Sequence, residues 1–267
     1  MGWTVVARKD FQRARSSRAI RILAVVLILY VVWRAYVFPL GTTDRTTTDF
    51  ATSLGTRTPF LLLLPFLGML LGYRAVVGER RTGTLALLLS LPIDRRDVVL
   101  GKLVGRTAVM VAVVVIALGV GGALVYYPFG SLVLGEYLLF GLLVTLYGFA
   151  FLSIGVALSA GTKSSNLATI GGFLTVFLFV VFWNSLESAL ALALAELGLA
   201  EDGLPDQVNV LFQLDPSTAF VNGLEGLLGA GANTPWYLSE WIALPVLLAW
   251  CIVPLVLSAL RFDGVDL

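Results

Sequence analysis

The chain has 267 residues, of which 58% are hydrophobic and 13% charged, with a formal net charge of +1 and a mean hydropathy of +0.92. Soluble domains carry about 25% charged and about 45–50% apolar residues, so a soluble globular enzyme and a disordered chain are both excluded, and the small net charge gives no reason to expect nucleic acid as a partner. There is no histidine and one cysteine, Cys251, which removes Ser-His-Asp and Cys-His catalysis, HExxH zinc sites, histidine haem ligation and a disulfide framework.

Residues 1–19 predict an amphipathic helix. Trp3, Ala7, Phe11 and Ala14 recur at helical spacing, and Arg8, Lys9, Gln12, Arg13 and Arg15 take the other face. Such a basic helix before a span lies in the membrane interface, apolar face in lipid and basic face towards anionic head groups. The alternative is a positive flank that only sets topology. The first span follows at about 20–38, with Arg21 and Arg34 snorkelling to the head groups. A secretory signal peptide is a weaker reading of this segment, because no small-x-small cleavage site follows the apolar core. A second span is predicted at about 59–77.

Within residues 79–102 the apolar stretch is too short to cross. Thr84–Leu89 is a brief apolar stretch, and Pro92 breaks it. Asp94 then has helix N-cap chemistry, with Asp97 three residues on. A helix from near Arg95 to Tyr127 is about 50 Å long at 1.5 Å per residue, against a hydrocarbon core of about 30 Å. Its first third should project from the membrane, forming a rigid knob with the leucines before it. Those leucines need a partner surface.

Further spans are predicted at about 105–127, 136–158, 166–186 and 241–260. Residues 187–240 form a long outer loop with no lysine or arginine, expected to hold short helices lying against the outer leaflet or dipping into it. Of the 18 basic residues, all but Arg34, Arg45 and Arg57 fall on one side of this six-span arrangement. By the positive-inside rule both termini are cytoplasmic. The expected fold is therefore an all-α integral membrane protein, one six-helix transmembrane domain over residues 1–267, in the cell membrane.

Gly161-Thr162-Lys163-Ser164 lacks the glycine directly before lysine that a P-loop needs, so the chain should not bind ATP itself. Gly68xxxGly72 and Gly101xxxGly105 fit close helix packing or a dimer seam. Arg34, Arg74 and Arg106 at span ends are explained by snorkelling. No acid stands in the middle of a span, which argues against a proton-coupled carrier, and no nucleophile has a base beside it. Catalytic, cofactor and metal-binding residues are accordingly expected to be none.

The segment GERRTGTLALLLSLPIDRRDVVLGKLVGR resembles the region between spans two and three in permease subunits of type-2 ABC transporters. Glu79, Gly83, Thr84, Leu85, Leu88, Leu89, Pro92, Arg95, Arg96, Gly101 and Lys102 match the family pattern, and Trp3, Ala7, Arg8, Lys9, Asp10 and Phe11 stand in a segment similar to its interface helix. Asp215-Pro216 with Phe220 is similar to a proline motif that members often carry, and the layout resembles most the multicopper-enzyme-maturation permeases. The resemblance implies a coupling helix at Thr82–Leu91 docking in a separate ATP-binding subunit, with Glu79, Arg80, Arg81, Arg95 and Arg96 as rim contacts. ATP and magnesium would be held by that partner, and a second permease chain, identical or related, would complete the pathway of an exporter. The competing reading is a self-contained six-span channel, facilitator or membrane-protein assembly scaffold. A membrane-embedded enzyme stands third for want of catalytic groups.

Overall fold

The computed structural model describes residues 2–38, 46–75, 77–78, 95–129, 131–162, 164–198, 204–229 and 239–263. Among these, every regular element is a helix. Helices α1 (Gly2–Ser16) and α2 (Arg18–Val37) are separated only by Ser17, whose extended backbone turns the chain. Next come α3 (Thr47–Gly55) and α4 (Thr58–Gly72), then α5 (Arg95–Phe129), α6 (Leu134–Gly161) and α7 (Ser165–Glu196). The last three are α8 (Asp206–Phe212), α9 (Pro216–Leu227) and α10 (Glu240–Asp263). Five of these are long and apolar enough to cross a membrane, and α3 with α4, bent by 72°, make a sixth if taken as one broken span.

Local chemistry explains the boundaries. Thr46 and Asp49 form a reciprocal capping box that starts α3. Pro59 sits in the first turn of α4, where a missing N–H costs nothing. Within the described residues α5 runs from Arg95 to Phe129, and its 35 residues reach about 52 Å. The fifth span differs from expectation. Instead of ending near residue 186, α7 continues to Glu196 through a π-helical turn at Leu178–Phe182. The run LESALALALAE is built from strong helix formers and meets no glycine or proline until Gly198.

Helix α6 is the centre of the bundle. Seven consecutive residues, Ala150 to Val156, are all buried, so neighbours cover it on every side. Helix α4 packs on it through glycines. A Cβ at Gly68 would lie 2.3 Å from the Gly148 carbonyl oxygen, and one at Gly72 would lie 2.5 Å from that of Leu152. The first small-residue motif therefore seats two helices of one chain. We call the end of the bundle with α1, the α4–α5 connection and the α6–α7 turn the basic end, and the other the acidic end.

Between α7 and α10 the chain turns back into the bundle. Helices α8 and α9 form a hairpin whose tip reaches the level of mid-span residues. The Trp183 indole donates to the Phe212 carbonyl at 3.1 Å, and the Trp250 indole donates to that of Leu214 at 2.7 Å. Phe220 of α9 stacks on Tyr147, near the middle of α6, with ring centroids 4.6 Å apart.

Tyr147 also repairs a backbone defect. Pro65 lies inside α4 and, having no N–H, leaves the carbonyl four residues earlier without its helical donor. That carbonyl belongs to Leu61, and the Tyr147 hydroxyl donates to it at 3.0 Å while sharing a 2.9 Å hydrogen bond with the Ser217 hydroxyl. One side chain thus joins the broken helix to the hairpin. Replacing Tyr147→Phe should lower stability by about 1–3 kcal/mol, the cost of a buried polar group left unpaired, as read by denaturation in detergent. Pro65→Ala restores an N–H to the Leu61 carbonyl, so Tyr147→Phe should cost less in that background. Equal costs in the two backgrounds would show that the hydroxyl does not serve this carbonyl.

Candidate coupling site

At the basic end, α1 lies along the first turns of α5. The two glycines of the second small-residue motif make the contact. A Cβ at Gly101 would meet the Trp3 carbonyl oxygen at 2.7 Å, and one at Gly105 would meet that of Ala7 at 2.5 Å. The motif is consumed inside one chain. Val6, Ala7 and Ala14 are buried by this contact, so the apolar stripe expected to face lipid is largely covered by protein, while Trp3 remains 42% exposed. Arg8, Lys9, Arg13 and Arg15 are exposed, as their face requires.

The same contact buries a charge cluster. Asp10 is 4% exposed and Lys102 2%. The Arg106 Nε donates to Asp10 Oδ2 at 2.6 Å, and Lys102 Nζ stands 3.9 Å from Asp10 Oδ1. Both cations also reach the C-terminal end of α4. Lys102 Nζ donates to the Ala75 carbonyl at 2.8 Å, and Arg106 donates to the Leu71 carbonyl. Carbonyls at a helix end lack intrahelical partners and carry partial negative charge, so buried cations suit them. One carboxylate and two cations thus bind three elements together: the interface helix, the end of α4 and the base of α5.

Snorkelling fails for Arg106, whereas Arg74 is exposed, as that reading requires, and Arg34 is half-buried. Arg106 is turned inward, its side chain 12% exposed. Arg34 donates to the Ser53 hydroxyl of α3 at 2.9 Å, and the Arg74 guanidinium lies 5.0 Å from the centre of the Tyr73 ring. One further signal in the sequence sets Asp10 apart. It is the acid of a basic helix, and it falls three residues after Ala7 and four before Ala14, on the buried face.

Of the residues assigned to coupling, Gly101 and Lys102 belong to this cluster, and Arg95 and Arg96 open α5. Glu79, Arg80, Arg81, Gly83, Thr84, Leu85, Leu88, Leu89 and Pro92 lie outside the described residues. The flanks of the segment are nevertheless placed. The cluster clamps the stretch that leads into it to the helix that leads out of it.

A second polar cluster sits at the hairpin tip. Asp215 is fully buried and belongs to none of the spans. Its Oδ2 accepts from the Thr218 amide at 2.7 Å and the Thr218 hydroxyl at 3.0 Å, capping α9, whereas its Oδ1 has no hydrogen-bond partner. Hydropathy finds no acid within a span, yet the hairpin brings one to that depth. Burial pushes the Asp215 carboxyl up to about 7, and the Glu187 charge on α7 adds to the rise against the bonds from Thr218 and Ser217.

A family model described as ABC-2 family transporter protein matches residues 4–267. The chain is 31% identical over 282 residues to a protein of Stutzerimonas stutzeri named probable ABC transporter permease protein NosY, an alignment covering 92% of this chain and 96% of that one. A protein of the same name from Pseudomonas aeruginosa is 31% identical over 212 residues, covering 76% of this chain and 75% of its own length.

Two outcomes follow from these clusters. Asp10→Asn leaves two buried cations without their counter-charge and should cost about 3–5 kcal/mol, whereas Arg8→Asn, exposed on the same helix, should leave stability unchanged. Denaturation in detergent at pH 7 distinguishes them. For Asp215 the folded value lies above the model-peptide 3.8. Between those two values the folded chain holds a proton that the unfolded chain has released, so stability falls as the pH rises through this window. The melting temperature should therefore drop from pH 5 to pH 8, and Asp215→Asn, which keeps a capping oxygen, should flatten the drop. An unaltered slope in that variant would assign the pH dependence to another group.

Proposed function

This chain belongs to the ABC-2 transporter family, and from that premise we propose that it is the membrane-spanning subunit of an ATP-driven exporter. It hydrolyses nothing itself. A separate ABC ATP-binding subunit holds ATP and magnesium, docks on residues 79–102 and drives the movement. Two permease chains, identical or related, form the pathway. The chain sits in the cell membrane with both termini and the basic end in the cytoplasm, where the positive-inside rule puts them.

The observation that carries this reading is the Asp10–Lys102–Arg106 cluster. A coupling segment works only if force on it is passed on and not absorbed by bending at its roots. Here both roots are held by buried, charge-assisted bonds, which are roughly twice as strong as neutral ones. Movement of the segment is thereby delivered to α4, α5 and α1 as one body. The length of α5, beyond what a bilayer needs, gives that body a lever into the membrane. The names of the two relatives support the permease role.

The leucines of the segment supply the contact with the ATPase in this reading. Changing Leu88→Asp together with Leu89→Asp should remove the ATPase subunit from affinity-purified material while the chain still inserts in the membrane. Retention of a stoichiometric ATPase by the double variant would place the docking surface elsewhere. Purification of the unaltered chain as a clean oligomer alone, across several mild detergents, would favour the channel or scaffold reading.

A further inference from the structure

Helices α6 and α10 diverge towards the basic end and leave a crevice of about 740 Å³ between them. Its walls are apolar, with Ile154 and Leu158 on one side and Val253 and Leu257 on the other. At its inner end stand Trp250 and Leu214, the residue at the hairpin tip whose carbonyl that indole holds. At the end nearest the bundle's basic face stand Thr162 and Ser258. Ser258 is 4% exposed, and its hydroxyl has no hydrogen-bond partner.

Three features identify the occupant. The first is length. The lining of α10 runs from Val246 to Ser258, about 18 Å at 1.5 Å per residue, against about 15 Å for the half of a 30 Å hydrocarbon core that one leaflet fills. A packed helix would need a groove running the full depth. The second is polarity along that length: apolar walls lead to two hydroxyls at one end only. The third is the unpaired donor. In an apolar setting a hydroxyl without a partner is unfavourable, and the glycerol ester carbonyl of a phospholipid would meet it at the depth where the acyl chain begins.

We propose that this crevice is a binding site for one acyl chain of a phospholipid from the leaflet at the basic end. The chain lies between α6 and α10 with its end against Trp250 and Leu214, and its ester carbonyl accepts a hydrogen bond from Ser258. Lipid so placed supports the hairpin tip from below, on the side that α6 does not cover.

The test is lipid retention. The full chain, purified in mild detergent and depleted of lipid, is titrated with dioleoylphosphatidylglycerol, and bound phospholipid per chain is counted by native mass spectrometry. The unaltered chain should retain lipid. Ala157→Phe with Ala249→Phe, which fills the crevice, should cut retention at least five-fold, and Ser258→Ala should reduce it several-fold without touching the walls. Leu138→Phe on the exposed face of α6 should have no effect. Unchanged retention in both the filled and the Ser258 variants, or none in the unaltered chain, overturns the site. So does efficient disulfide linkage of two copies through Val253→Cys, which would make a second chain the occupant.

Discussion

Three helix breaks among the described residues leave backbone carbonyls without a helical donor, and side chains from other helices meet them. In hydrocarbon an unpaired backbone group costs several kcal/mol, so breaks persist only where a side chain supplies the missing partner. Pro65 frees the Leu61 carbonyl, and Tyr147 reaches it from α6. The end of α4 frees the Leu71 and Ala75 carbonyls, and Arg106 and Lys102 reach them from α5. The hairpin tip frees the Phe212 and Leu214 carbonyls, and Trp183 and Trp250 reach them from α7 and α10. In each case the donor comes from a different helix. The repair of a break is therefore also a tertiary contact, in a setting where hydrophobic burial contributes little to helix association.

The donors differ in kind at the two ends. At the basic end they are cations with a shared carboxylate, and the glycines beside them bring α1 and α5 to backbone contact. Such a cluster is intolerant of partial opening, because separating any member strands a buried charge. At the hairpin they are neutral indole and phenol groups. The contrast places the stiffest joint where a cytoplasmic ATPase would push, and it explains why an acid and a lysine are kept together in a region otherwise built from apolar side chains.

The sequence was informative wherever a feature depends on a run of residues. Apolar runs pointed to the helices long enough to cross, because composition acts locally. Features that depend on one residue meeting a distant one were hidden. Asp10 and Arg106 are separated by 96 positions, and a lone arginine at a span end reads the same whether it turns outward or inward. The same holds for Asp215. Span counting assigns it to an outer loop, and only the fold of α8 and α9 carries it to the level of Tyr147. Hydropathy marks the end of the fifth span near residue 186, where the uncharged run stops, although charge alone does not end a helix rich in alanine and leucine.

The distribution of bond strengths gives the bundle a direction in which to yield. The hairpin is held by neutral hydrogen bonds, each worth about 1 kcal/mol net, by the stacking of Phe220 on Tyr147 and by the burial of Ala219, Phe220 and Leu224 in the core. The base is held by charge-assisted bonds to a buried carboxylate. A displacement imposed at the base would act on α4 and α5 together. It reaches α6 through the glycine contacts of α4, where backbones touch and little can be absorbed. Tyr147 stands on that same helix, bonded both to α4 and to Ser217 of the hairpin. Such a movement therefore meets the hairpin at Tyr147, and the segment it reaches is the one that holds the buried carboxylate of Asp215.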